Sequence, residues 1–186
     1  MHDDGDMDPL SGHLLIAGPS LFDPNFRRTV ILIAHHDEEG AVGVVLNRPL
    51  DVTVEEAVPA LAALVDPWAH VLTGGPVEPE AVVVLADFTD PSLAEVLALG
   101  SIGFLPPEAD DDIGASIRRA RVFAGYAGWG GGQLEAELDE DSWIVEPARP
   151  EDIFHPNPEH LWDDVLRRKG SAFDLLRLMP DDPSMN

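Results

Sequence analysis

The chain has 186 residues, with 35 acidic against 11 basic for a formal charge of −24, 45% hydrophobic residues and no cysteine. That length and apolar share fit one globular domain with a core, and the missing thiol excludes disulfides, thiol catalysis and thiolate metal sites. The acidity repels nucleic-acid phosphates and anionic membrane faces, and no apolar run approaches the roughly 20 residues that span a bilayer.

Residues 1–10 read as a disordered acidic tail. Asp3, Asp4, Asp6 and Asp8 stand where a secretory signal would carry basic residues and then an apolar stretch, so a cytoplasmic location is expected. "HLLIA" (13–17) reads as a strand, and "GPSLFDPNF" (18–26), with its Gly, Pro and Asp, as a structured loop. "RTVILIAHH" (28–36) and "AVGVVLN" (41–47) flank the turn residues "DEEG", which predicts a hairpin over 28–47. Both strands are nearly continuous apolar runs, so cover on two faces is expected.

"TVEEAVPALAALV" (53–65) opens with Thr53 and Glu56 in capping-box spacing, and Pro59 kinks the helix or delays its start. "AHVLTGGPV" (69–77) reads as a strand entering a tight Gly-Gly-Pro turn, and strands follow at 81–87 and 101–106. "EADDDIGASIRRA" (108–120) predicts a helix, because acids lead and arginines close it. A strand at 121–127, a short helix at 133–141, a strand at 142–147, a helix at 158–170 punctuated by Pro158 and Gly170, and a last turn at 172–178 complete the chain. Hairpins mixed with helices favour an α+β fold over strict alternation.

The stretches 12–50, "TGGPVEPE" (73–80), "GYAGWGGGQLEAEL" (125–138) followed by "SWIV", and "LWDDVLRRKG" (161–170), taken together and in order, resemble the AlgH/YqgE family of bacterial proteins. The segment 87–112 looks least like the family. The resemblance implies a single α+β domain over 11–180, with tails at 1–10 and 181–186. It also implies a mixed, branched β-sheet curled into a partial barrel with flanking helices, in a cytoplasmic protein. It implies little about activity, although such proteins often carry a transcriptional-regulator label. It directs attention to Asn47, Arg48, Pro49, Gly74, Gly75, Pro76, Gly125, Trp129, Gly132, Gln133 and Glu135 without saying what they do.

Strand, glycine-rich turn and helix over 125–138 is the layout of an anion cradle. Yet no lysine follows as in a P-loop, and Glu135 and Glu137 would repel an anion. The favoured reading is structural, with glycines bending the chain around Trp129, which plugs or lines a cleft. Arg48 could hold a carboxylate bidentately, although an internal salt bridge is the better expectation. The working hypothesis is that the Asn-Arg-Pro turn and the glycine turns converge on one ligand cleft.

The clusters Arg27–Arg28, Arg118–Arg119–Arg121 and Arg167–Arg168–Lys169 are short and read as solvated faces or helix C-terminal charges. His35 and His36 would point to opposite strand faces, and His155 and His160 straddle two prolines, so no metal is expected. No cofactor or catalytic residue is assigned. Ser20 reads as a turn hydroxyl rather than a nucleophile. The leading expectation is a non-enzymatic regulatory or binding protein with a protein partner or small ligand. A nucleotide- or small-molecule-binding enzyme using the same cleft comes second. A direct DNA-binding regulator, disfavoured by charge, comes third.

Overall fold

A computed structural model of the chain describes residues 9–18, 21, 23, 24 and 26–178. The expected acidic tail up to residue 8, Ser20 and the tail 181–186 lie outside the described residues. The apolar runs at the start form three adjacent antiparallel strands, β1 (His13–Ala17), β2 (Val30–Asp37) and β3 (Gly40–Val45). Their continuous hydrophobicity follows from burial on both faces. Leu14, Ile16, Val30 and Leu32 enter one core cluster, while the alternating Leu15, Ala17, Ile31 and Ile33 enter another.

Thr53 caps α1 (Val54–Ala57), accepting from the Glu56 backbone while the Glu56 side chain accepts from that of Thr53. The helix runs only four residues, because Pro59 lacks an N–H and disfavours a helical residue before it. The chain continues as a 3₁₀ turn over Pro59–Leu64. Thr53 also ends a strand that the sequence does not announce, β4 (Pro49–Thr53), which pairs with β5 (His70–Thr73).

Two long strands carry the centre, β6 (Val77–Phe88) and β9 (Ile117–Gly130), with β7 (Val96–Leu99) and β8 (Ile102–Phe104) between them in sequence. With β10 (Trp143–Pro147) the strand order is β10-β1-β2-β3-β9-β6-β8-β7, and β5 branches off parallel to β9. The result is a mixed, branched sheet that does not close into a barrel. It curls, however, so that Ala98 of β7 comes back beside Gly12, where an added Cβ would lie 3.1 Å from the Ala98 carbonyl. Inside the curl, Leu161, Trp162, Val165 and Leu166 pack against Leu14, Leu32 and Phe123. They come from one face of α4 (Leu161–Lys169). Arg168 joins α4 to α3 (Pro150–Ile153) through a bidentate bond to buried Asp152, at 2.8 and 3.0 Å. Helices α2 (Gln133–Asp139) and α5 (Asp174–Leu178) complete the α+β domain. Among the described residues no helix is long and apolar enough to cross a membrane.

The helix expected over 108–120 is not formed. Asp111–Ser116 make a 3₁₀ turn, and the chain is already strand from Ile117. Acids followed by arginines imitate a helix dipole, but Arg118 bonds Asp87 at 3.2 Å across the β6–β9 ladder, a partner remote in sequence. Ala120 and Val122 alternate into the core beside Val84 and Ala86, with the two-residue period of a strand.

Candidate functional site

The structure places the residues singled out in the sequence in two groups. Asn47, Arg48 and Pro49 lie beside Gly74, Gly75, Pro76 and Gly125 where β3, β4, β5 and β9 meet. Thr73 N–H donates to the Arg48 carbonyl, Val45 N–H to that of Gly74, and Gly74 N–H to that of Ala124, each at 2.8 Å. The glycines permit this crossing. Gly125 has φ +77°, and a Cβ there would lie 2.6 Å from the Gly75 carbonyl. A Cβ on Gly74 would in turn strike the Gly125 carbonyl.

Asn47 and Arg48 grip the preceding loop. Buried Asn47 donates to the Arg28 carbonyl at 2.9 Å and accepts from Val30 N–H at 3.0 Å. Arg48 donates to the carbonyls of Pro24 (2.7 Å) and Arg27 (2.6 Å). Burial, and then the charge of Arg27, push the Arg48 pKa down.

Trp129, Gly132, Gln133 and Glu135 form the second group, at the tip of the β2–β3 hairpin. The strand from Gly125 to Trp129 sets the groups about 13 Å apart. Trp129, only 7% exposed, fills the second core cluster, stacked on Phe26 and edge-on to Trp143. Its indole and that of Trp143 both donate to Glu137 Oε1, at 2.9 and 2.8 Å. Gln133 donates to the other Glu137 oxygen and accepts from Gly130 N–H. Glu135 accepts from His36 Nε2 at 2.8 Å, while His36 Nδ1 accepts from Leu10 N–H at 3.0 Å. The neutral Nε2–H tautomer satisfies both of those bonds. So the tryptophan among the glycines plugs the core, and Gln133, Glu135 and Glu137 around it are hydrogen-bonded within the fold. The link between the groups is the loop itself, held by Arg48 at Pro24 and Arg27 and packed by Phe26 onto Trp129.

His35 is exposed and pairs with Asp37, while His36 is buried. His155 donates to Asp164 at 2.7 Å. Among the described residues no group of three His, Cys, Asp or Glu is placed to hold a metal ion.

A cavity that the sequence did not announce opens beside Pro49. It has a volume of about 710 Å³, and Asp51, Asp66, Trp68, Arg121 and Glu159 are among its walls. A recess of about 430 Å³ shares Asp66, Arg121 and Phe154 with it and adds Leu64, Arg118 and Arg119. Trp68 stands at the rim, 72% exposed. Arg121 is half-buried on β9. Its Nε donates to the Ile153 carbonyl (3.3 Å) and its Nη2 to that of His155 (2.6 Å). Burial pushes the Arg121 pKa down, against the opposing pull of Asp66. Arg119 stacks on Phe154, 4.3 Å from the ring centre, and reaches Asp87 at 3.8 Å. Reading 108–120 as a helix hid this site. Strand alternation would have put Arg119 and Arg121 on one face.

Residues 14–174 match the family described as AlgH-like. A UPF0301 protein of Streptomyces avermitilis is 42% identical over 184 residues, 95% of each chain. One of Streptomyces coelicolor is 43% identical over the same length and shares. A crystal structure of a protein from Corynebacterium diphtheriae superposes with a TM-score of 0.81 at 31% identity, covering 94% of this chain and 93% of that one. The solution structure of AlgH from Pseudomonas aeruginosa superposes at 0.69 and 32% identity, covering 97% and 98%.

Proposed function

The chain belongs to the AlgH-like family, and we propose that it is a non-enzymatic regulatory binding protein of the cytoplasm, working through the groove beside Arg121. One observation carries this reading. A half-buried guanidinium lines a cavity of about 710 Å³ and, among the described residues, is bonded only to carbonyls, in a chain with 35 acidic residues to offer. A structural arginine at such a depth is usually matched to a carboxylate. Asp66 acts on Arg121 through its charge alone, with no hydrogen bond or ion pair between them among the described residues, so the remaining N–H groups are available to a ligand.

In this reading the residues of 47–49 and the glycine turns are supports. Pro49 alone among them lines the groove. Asn47 and Arg48 hold the loop, and the glycines let β5 cross onto β9. The histidine–carboxylate pairs favour a binding role over an enzymatic one, since each is closed within its own local bonds. Direct DNA binding is disfavoured by the charge of −24 and by Asp87, which answers Arg118 and Arg119.

An amide, indole and arginine-Nε NMR titration tests this, with nucleotides, pooled small metabolites and short duplex DNA added in turn. The expected result is that a small molecule shifts Trp68 and Arg121. Shifts confined to Gly125–Gly132 would return the site to the glycine turn. Duplex binding that collapses with added salt would establish the DNA reading instead.

A further inference from the structure

Resting on that reading, we infer that the groove takes a peptide-like zwitterion, its carboxylate on Arg121 and its cationic end among Asp51, Asp66 and Glu159 against Trp68. The two carbonyls occupy the Nε and Nη2 positions of the guanidinium. That leaves Nη1, with its two N–H groups, unbonded among the described residues. Nη1 together with the second Nη2 hydrogen makes an end-on fork, which a carboxylate fills bidentately.

The rest of the wall selects against a bare anion. Asp51, Asp66 and Glu159 line the same cavity, so it carries more negative charge than one arginine offsets. A triphosphate or a nucleic-acid strand would bring further negative charge to those carboxylates. A single carboxylate joined to an ammonium or guanidinium answers both signs of charge in the wall. The exposed indole of Trp68 adds a face on which a cation binds. Pro49, Pro156 and Pro158 line the same cavity and supply rigid apolar contact. The volume is in the range that holds a small ligand, and an extended tripeptide, about 10 Å long, fits that scale.

The test uses the full chain and the tripeptide Lys-Ala-Ala with free ends, its C-terminal amide, its N-acetyl, side-chain-acetylated form, and ATP. Binding is followed by the Trp68 indole and Arg121 Nε resonances and by calorimetry. The free tripeptide is expected to bind, with amidation or acetylation each weakening it at least tenfold. Arg121→Lys should erase the difference between acid and amide, because an ammonium lacks the fork. Trp68→Ala, at an exposed position where the fold is not at stake, should weaken the free tripeptide at least threefold. If the amide binds the native chain as well as the acid, Arg121 does not read a carboxylate and the inference falls. If ATP moves Trp68 and Arg121 and no peptide does, the ligand class is wrong while the groove reading stands. If no probe moves either resonance, both fall.

Discussion

At the scale of single residues, the most consequential side chain is one that the sequence presents as a charge repelling an anion and complementing its helix dipole. Glu137 receives the indole N–H groups of Trp129 and Trp143 on a single oxygen, and so joins β9, α2 and β10. Glu137→Ala would leave both donors without that acceptor inside a packed aromatic cluster. Unfolding in urea should show a loss of about 2–4 kcal/mol. A loss under about 0.5 kcal/mol would mean that water replaces the carboxylate. Glu135, two positions earlier, gives a pH prediction. Burial raises its pKa, but a bond from its own backbone N–H and the bond from His36 outweigh this, leaving it below the ordinary 4.5. A carboxyl depressed in the fold stabilises fully above its unfolded value and loses that contribution as pH falls through the folded one. The urea midpoint should therefore drop on acidification below about pH 4.5, and less steeply in Glu135→Gln. Equal slopes in the two proteins would discount the pair.

At the scale of elements, β9 is the hub, since it pairs with β3, β6 and β5. Hydrogen exchange should find the amides of Arg121–Trp129 among the slowest, with those of β7 and β10 at the ends of the ladder exchanging earlier. Equal protection in the end strands would contradict that ranking. The capping box at Thr53 was legible because its parts lie three residues apart, and Thr53→Ala should cost about 1 kcal/mol by thermal or urea unfolding. The first half of β9 was not legible. Its acids-then-arginines pattern fits a helix dipole equally well, and the competitor is Asp87, which reaches Arg118 from 31 positions away. Strands β4 and β7 were missed for a related reason. Each is short and mostly exposed or half-buried, so neither shows the apolar run that announced β1, β2 and β3.

At the scale of the whole molecule, the charge of −24 acts on everything the chain does. Self-repulsion destabilises the compact state, and salt screens it. Raising sodium chloride from about 20 mM to about 200 mM should increase the melting temperature, because the Debye length falls from roughly 20 Å to under 10 Å. A fall in melting temperature would mean that favourable ion pairs, such as those of Arg168 with Asp152 and Glu146, dominate over the repulsion. The same charge sets a local rule for ligands, since a groove in this surface has to supply its own cation, and Arg121 is that cation in the larger cavity.

The sequence by itself determined what depends on neighbours in the chain. It carried the doubly buried hairpin, the cap of α1, helices α2 and α4, the α+β class, and the exclusion of thiol chemistry. Each of these is a matter of period, capping or composition over a short window. Only the tertiary structure decided where the candidate site lies. Pro49, Trp68, Arg121 and Glu159 come from four separate stretches, and it is the curl of the sheet and the crossing of β5 onto β9 that bring them to one cavity. It also decided that Trp129 is a core plug, because the carboxylate of Glu137, the ring of Phe26 and the indole of Trp143 meet it only when the chain is folded. Burial and pairing across long sequence separations are cooperative properties of the packed chain, and no local pattern encodes them.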